Sequence, residues 1–177
     1  MLIESSTVIP LLKRITPQIH RDMRGEFVET FSLKTHIFQK EDGAVIEFLE
    51  DDISVSKKNV LRGLHGDRKT WKLIQCLCGS LYFVVVDMRP NSSAFLKWEA
   101  FRLDDQIRQQ VLVPAGCVNG YLTLSEQCIF GYKQSAYYSG AGQQLSVRWN
   151  DPKLKIEWPV SDPVLSERDA TAPLLSL

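Results

Sequence analysis

Histidine is scarce in this chain. His20, His36 and His65 are the only three in 177 residues, and no His-x-His pair occurs. Barrels that hold iron, manganese or zinc usually do so with two or more histidines and a carboxylate, so no metal site is expected. Net charge is also lacking, because Lys+Arg and Asp+Glu both number 21. That balance gives no basic field for nucleic acid and no acidic tail for a basic partner. A phosphate-bearing ligand must rely on a local group of cations. No apolar run reaches the ~18 to 20 residues needed to span a bilayer, so no membrane partner is expected. The first residues, Met1-Leu2-Ile3-Glu4-Ser5-Ser6, lack the basic-then-apolar order of a secretory leader. Cys76, Cys78, Cys117 and Cys128 are the four cysteines, and Cys-Leu-Cys lacks zinc-site spacing. Cys76 and Cys78 are expected on one face of a strand. All four read as buried, reduced thiols, which points to the cytoplasm.

Apolar residues make up 44% and charged residues 24%, a globular composition. The length fits one domain over 1–177 with a sizeable core. Extended patterns dominate. Val45 to Leu49 reads as a strand, and Ile53-Ser54-Val55-Ser56 alternates. Lys57-Lys58-Asn59 reads as a turn. Trp71 to Cys78 and Leu81 to Met88 look like strands joined by a short hairpin at Gly79-Ser80. Val84-Val85-Val86 has the continuous apolar character of a central strand. Further strands are expected over Trp98–Leu103, Gln109–Val113, Gly120–Leu124 and Cys128–Gln134. Helical signal is thin: one helix over Ser32–Lys40 with Ser32 as N-cap, and short turns near Asp104-Asp105 and Ser166-Glu167-Arg168. Many short strands at regular spacing argue for an all-β sandwich or barrel. The Pro- and Trp-bearing tail from Asn150 is expected to wrap it.

Chemistry concentrates around Val60-Leu61-Arg62-Gly63-Leu64-His65. In a straight strand Arg62 and His65, three apart, face opposite ways. Gly63 offers the bend that would bring them together. The turn Gly66-Asp67-Arg68-Lys69-Thr70 then returns the chain through Trp71 and Lys72, which would put His65 and Lys72 on adjacent strands. Taken one at a time, these residues have plain readings. Lys72 is a solvent-facing lysine, Asp169 a surface aspartate, Tyr132 a core tyrosine, and Asn119-Gly120 a turn.

Their order along the chain resembles the dTDP-4-dehydrorhamnose 3,5-epimerase family. The matching pieces are Arg24 to Glu29, Val60 to His65, Lys72-Leu73, Val86 to Arg89 and Phe95 to Trp98. They continue with Val113 to Gly116, Tyr132-Lys133, Arg148 to Pro152, Trp158-Pro159 and Leu165 to Asp169. The resemblance implies a cupin-like β-jelly roll that acts on a nucleotide-diphosphate 4-keto sugar without a cofactor or metal. It also implies a homodimer in which an N-terminal strand crosses to the partner. Position by position, it implies His65 as base, Asp169 as its paired carboxylate, Lys72 beside the 4-keto oxygen and Tyr132 as the phenol that returns the proton. Arg62 matches a phosphate or sugar contact. Arg24, Phe27 and Glu29 match the nucleotide-binding N-terminal segment, and Tyr138 matches a residue that stacks on the base.

Four departures stand out. Asn119 replaces a family histidine near the 4-keto oxygen; it donates a hydrogen bond but cannot become a cation. The loop from His65 to Lys72 is about three residues short, as in relatives associated with heptose or other sugars carried on GDP. Glu50-Asp51-Asp52 stands where Gln-Asp-Asn is common. If Glu50 and Asp52 face the base, they would accept hydrogen bonds from guanine; otherwise they form a solvated acidic turn. Arg168 replaces a family lysine and keeps its charge. The alternatives are a single-centre epimerase on a GDP-linked hexose or heptose, a related keto-sugar isomerase, a non-catalytic sugar-nucleotide-binding barrel, and a metal-dependent oxygenase. Missing histidine ligands count against the last.

Overall fold

The computed structural model describes residues 1–176. Thirteen strands run in chain order. They are β1 (Leu2–Ser5), β2 (Lys13–Thr16), β3 (Ile19–Asp22), β4 (Gly25–Val28), β5 (Glu50–Lys57), β6 (Leu61–Gly66) and β7 (Lys72–Cys78). Then follow β8 (Ser80–Asp87), β9 (Trp98–Asp104), β10 (Gln110–Val113), β11 (Cys117–Thr123), β12 (Gln127–Gln134) and β13 (Leu145–Ser146). One short helix, α1 (Glu167–Ala170), precedes the C-terminus. A six-stranded sheet has the order β1-β2-β10-β7-β12-β5, and a five-stranded sheet the order β13-β6-β11-β8-β9. Side chains from both sheets meet in one core, with Ile74, Cys76 and Phe130 against Leu81, Phe83 and Val85. This is a cupin-like jelly-roll barrel.

The continuous apolar stretch of β8 is explained by burial on two faces. Leu81, Phe83 and Val85 point into the barrel. Val84 and Val86 point outward and are covered by Leu154, Ile156 and Trp158 of the tail. Trp98 Nε1 ties that tail down by donating to the Leu154 carbonyl at 2.9 Å. Leu154 is buried, at ~1.5–3 kcal/mol for a side chain of its size, and Ile156 and Trp158 are partly buried against the same cluster, so the tail is part of the barrel wall.

Several local expectations give way. Ser32–Lys40 makes one turn, with no α-helix: the Ser32 N–H donates to His36 Nδ1 at 3.0 Å, and the His36 N–H to the Ser32 carbonyl at 2.8 Å. Val45–Leu49 forms no strand: Val45 makes an isolated bridge to Gln39, the Ile46 N–H donates to the Phe38 carbonyl at 2.8 Å and the Leu49 N–H to the Gln134 carbonyl at 2.7 Å. Asn119-Gly120 lies inside β11. β7 and β8 are not a hairpin, because β7 pairs with β10 and β12 while β8 pairs with β9 and β11. Gly79, at φ +81°, turns the chain from one sheet to the other. A Cβ there would lie 2.2 Å from the Gln127 carbonyl oxygen. Cys76, Cys117 and Cys128 are buried and free, but Cys78 is exposed. No helix among the described residues is long and apolar enough to cross a membrane.

β3 and β4 form a separate two-stranded hairpin. Arg108 pairs with Glu26 at 2.5 Å, and Arg21 Nη2 donates to the Gln106 carbonyl. The hairpin nevertheless displays Met23 and Phe27, which are 100% and 70% exposed.

Candidate active site

A cavity of about 220 Å³ opens between the two sheets. His65 and Asn119, cross-strand partners on β6 and β11, line its five-stranded side. Lys72 on β7 and Tyr132 on β12 line the six-stranded side. His65 and Lys72 therefore belong to opposing sheets, not adjacent strands. Gly63 supplies the expected bend, at φ +133°. A Cβ there would lie 2.5 Å from Gly120 Cα. β6 and β11 thus approach closely at two glycines, and both Arg62 and His65 reach the cavity.

Asp169 is 3% exposed, so its plain reading as a surface aspartate fails. The N-cap of α1 positions it: Ser166 Oγ accepts from the Asp169 N–H at 3.2 Å. Asp169 Oδ1 lies 2.7 Å from His65 Nε2, at ion-pair distance but off the line of a hydrogen bond. Burial pushes the Asp169 carboxyl up, but the His65 contact and the Ser166 hydroxyl outweigh it and hold the group below its ordinary range. This contact holds the imidazole beside a buried carboxylate.

Lys72 is 7% exposed, against the expectation of a solvent-facing side chain. Its Nζ donates to Asn119 Oδ1 at 3.4 Å. Burial pulls its pKa below the ordinary lysine value; Asp67 opposes that shift and Arg168 adds to it. Tyr132 packs against the core at Phe130, with ring centroids 5.5 Å apart. Burial, followed by the Asp52 and Glu50 carboxylates, pushes its phenol up to about 12. Tyr132 is therefore protonated at neutral pH.

Glu50 and Asp52 lie on β5, not in a solvated turn. Gln134 Nε2 bridges them, donating to Glu50 Oε1 at 2.9 Å and to Asp52 Oδ2 at 3.1 Å. The Tyr138 N–H donates to Glu50 Oε2 at 3.2 Å, which places Tyr138 at the cavity mouth. Burial, then the neighbouring Glu50, raises the Asp52 pKa. Arg168 also lines the cavity and donates to Gln144 Oε1 at 2.8 Å.

Arg24, Phe27 and Glu29 are not brought to this cavity. Arg24 and Phe27 line a separate hollow on the β3–β4 hairpin, where Arg24 pairs with Asp22 at 2.6 Å. Glu29 accepts from Thr35 Oγ1 nearby. Sequence reasoning missed Ser54, Tyr121 and Gln134, all cavity-lining. Each lies two residues from a named candidate on the same strand face: Ser54 from Asp52, Tyr121 from Asn119 and Gln134 from Tyr132. Among the described residues, no three His, Cys, Asp or Glu side chains group in a way that could hold a metal ion.

The family model described as dTDP-4-dehydrorhamnose 3,5-epimerase matches residues 6–176. A protein of that name from Salmonella typhimurium is 40% identical, over 99% of this chain and 96% of its own. The structure of the Legionella pneumophila dTDP-6-deoxy-D-glucose-3,5-epimerase RmlC, in complex with dTDP-4-keto-L-rhamnose, superposes with a TM-score of 0.88 at 36% identity. The match covers 98% of this chain and 92% of that one. ChmJ from Streptomyces bikiniensis, a 3'-monoepimerase in complex with dTDP-quinovose, gives 0.87 at 30% identity, over 97% and 87%.

Proposed function

The chain belongs to the dTDP-4-dehydrorhamnose 3,5-epimerase family, and we propose that it inverts C3, C5 or both on a nucleotide-diphosphate 4-keto-6-deoxy sugar. One observation carries the mechanism: a carboxylate-paired histidine and a protonated phenol occupy opposing sheets of one cavity. The 4-keto group acidifies the protons on its neighbouring carbons. His65 removes one and becomes an imidazolium beside Asp169. The electron pair left on carbon moves into an enolate, whose oxygen meets Lys72 and Asn119. Fixed donors aimed at the position where charge develops lower the barrier. Tyr132 then returns a proton from the opposite face, inverting the carbon. Tyr132 and His65 recover their starting states by exchange with solvent. The whole cycle is proton transfer and calls on no cofactor.

Arg62 and Arg168 are the cations suited to the diphosphate, since a guanidinium fork can hold two oxygens. The exposed hairpin bearing Arg24, Phe27 and Glu29 supports a homodimer of single-domain protomers, in which each N-terminal segment completes the partner's nucleotide site, with Tyr138 stacking on the base. A cytoplasmic location fits the supply of nucleotide sugars.

A second reading of the nucleotide is favoured by Glu50 and Asp52, which form no ion pair among the described residues. Guanine presents two neighbouring donors on one edge and thymine presents one, so a carboxylate pair facing the base favours GDP. The test is incubation in D₂O with dTDP- and GDP-linked 4-keto-6-deoxy sugars, followed by NMR. Deuterium at C3 and C5 marks a double epimerase, deuterium at one carbon marks a single-centre enzyme, and no exchange with either sugar rejects the reading.

A further inference from the structure

Below the groups that move protons lies a row of hydroxyls with no part in the chemistry. Tyr121 Oη lies 2.8 Å from Ser54 Oγ and 2.9 Å from Ser56 Oγ. Arg62 Nε donates to Ser56 Oγ at 3.0 Å. Tyr121 and Ser56 are each 3% exposed. The Tyr121 ring stacks on Phe130 with centroids 4.3 Å apart, so the phenol is held in place. The β-register explains the row: Ser54 and Ser56 share a face of β5, and Tyr121 stands opposite Arg62 across β11 and β6.

The direction of the protons follows from what each group can do. A guanidinium only donates, so Ser56 Oγ accepts from Arg62. The proton of Ser56 is buried, and its remaining partner is Tyr121 Oη. A buried donor left without an acceptor is costly, so Ser56 donates to Tyr121 and Tyr121 donates to Ser54. The reverse direction would strand the Ser56 proton in the interior. In the favoured direction the Ser54 proton is the one without a protein acceptor among the described residues. Ser54 is half-buried and lines the cavity. Hydrogen-bond chains polarise along their length. A chain that starts at a cation and ends at the cavity presents a donor suited to an anionic oxygen.

We propose that Ser54 is a second donor to the ligand's diphosphate beside Arg62, with Tyr121 as the positioning residue that orients it. This rests on the reading that the cavity takes a nucleoside-diphosphate sugar. It adds an anion subsite on β5 and β11, separate from the groups that move protons.

Calorimetric titration of dTDP and GDP, with thymidine and guanosine as uncharged controls, tests it on wild type, Ser54→Ala, Tyr121→Phe and the double variant. Each single variant is expected to weaken binding of the preferred nucleoside diphosphate on the order of tenfold to a hundredfold, the range of a hydrogen bond to a charged group. Nucleoside binding should not move, and in turnover the loss should fall on KM. Because both changes break one chain, the double variant should bind no more weakly than Ser54→Ala. Wild-type affinity in Ser54→Ala, equal weakening of nucleoside and diphosphate, or fully additive losses would each overturn the subsite. If Tyr121→Phe does not fold, Ser54→Ala alone decides. Wild type that binds neither diphosphate and exchanges no deuterium removes the epimerase reading itself. Wild type that binds and exchanges, alongside variants that match it, removes only the subsite.

Discussion

The Lys72 ammonium lies 3.4 Å from Asn119 Oδ1, and no carboxylate pairs with it among the described residues. A buried cation held by a neutral amide gives up its proton more readily than an exposed lysine. Lys72 is the cation assigned to the enolate oxygen, so its protonation state should limit turnover at high pH. Tyr132, pushed up to about 12, retains its proton beyond that limit. The alkaline limb of the kcat/KM profile is therefore expected below the ordinary lysine value of ~10.4. Lys72→Arg should move that limb upward, and so should Asn119→Asp, which would give the ammonium a counter-charge. A limb that stays fixed in both variants would assign it to another group.

His65→Asn should abolish deuterium exchange at every carbon the enzyme activates. Asp169→Asn should slow exchange by ~10²–10⁴-fold, the range of a general acid–base contribution, while nucleoside-diphosphate affinity stays within a few-fold of wild type. Exchange in D₂O and a binding titration on the same preparations separate the two effects.

Asp169 also links the site to acid stability. Its folded pKa is depressed, so the stability it contributes is fully present above the ordinary aspartate range. That contribution is lost as pH falls through the folded value. Chemical denaturation of wild type and Asp169→Asn at a series of pH values should show the two stabilities converging toward acid pH.

Gly63 and Gly120 set the spacing of the strands that carry His65 and Asn119. Gly63→Ala combines a positive φ with a Cβ 2.5 Å from a backbone carbon. Backbone strain and overpacking each cost ~1–3 kcal/mol, so a loss of about 2 kcal/mol or more is expected in urea denaturation. Unchanged stability would mean that β6 and β11 separate freely there.

What could be read in the chain depended on how local the cause was. The apolar run Val84-Val85-Val86 and the wrapping tail were legible because burial on both faces leaves a mark in composition. The chain suggests a β7–β8 hairpin because nothing in Gly79-Ser80 tells a turn within a sheet from a turn between sheets; that depends on β10 and β12, which come later. Lys72 and Asp169 look like surface residues for the same reason, since their burial comes from distant strands and from the tail. The roles proposed for them rest on the ordered set of motifs, which no single residue carries. Ser54 and Tyr121 stayed hidden among ordinary alternating strand residues until the register brought their hydroxyls together.

The placement of His65 and Tyr132 on opposing walls is tested most directly by Tyr132→Phe in D₂O with the keto-sugar substrate, followed by NMR for both exchange and configuration. Removal and return by two groups on two faces predicts that deuterium still enters through His65 while inversion is lost. Inversion at the wild-type rate would contradict that division of labour and take the phenol out of the mechanism.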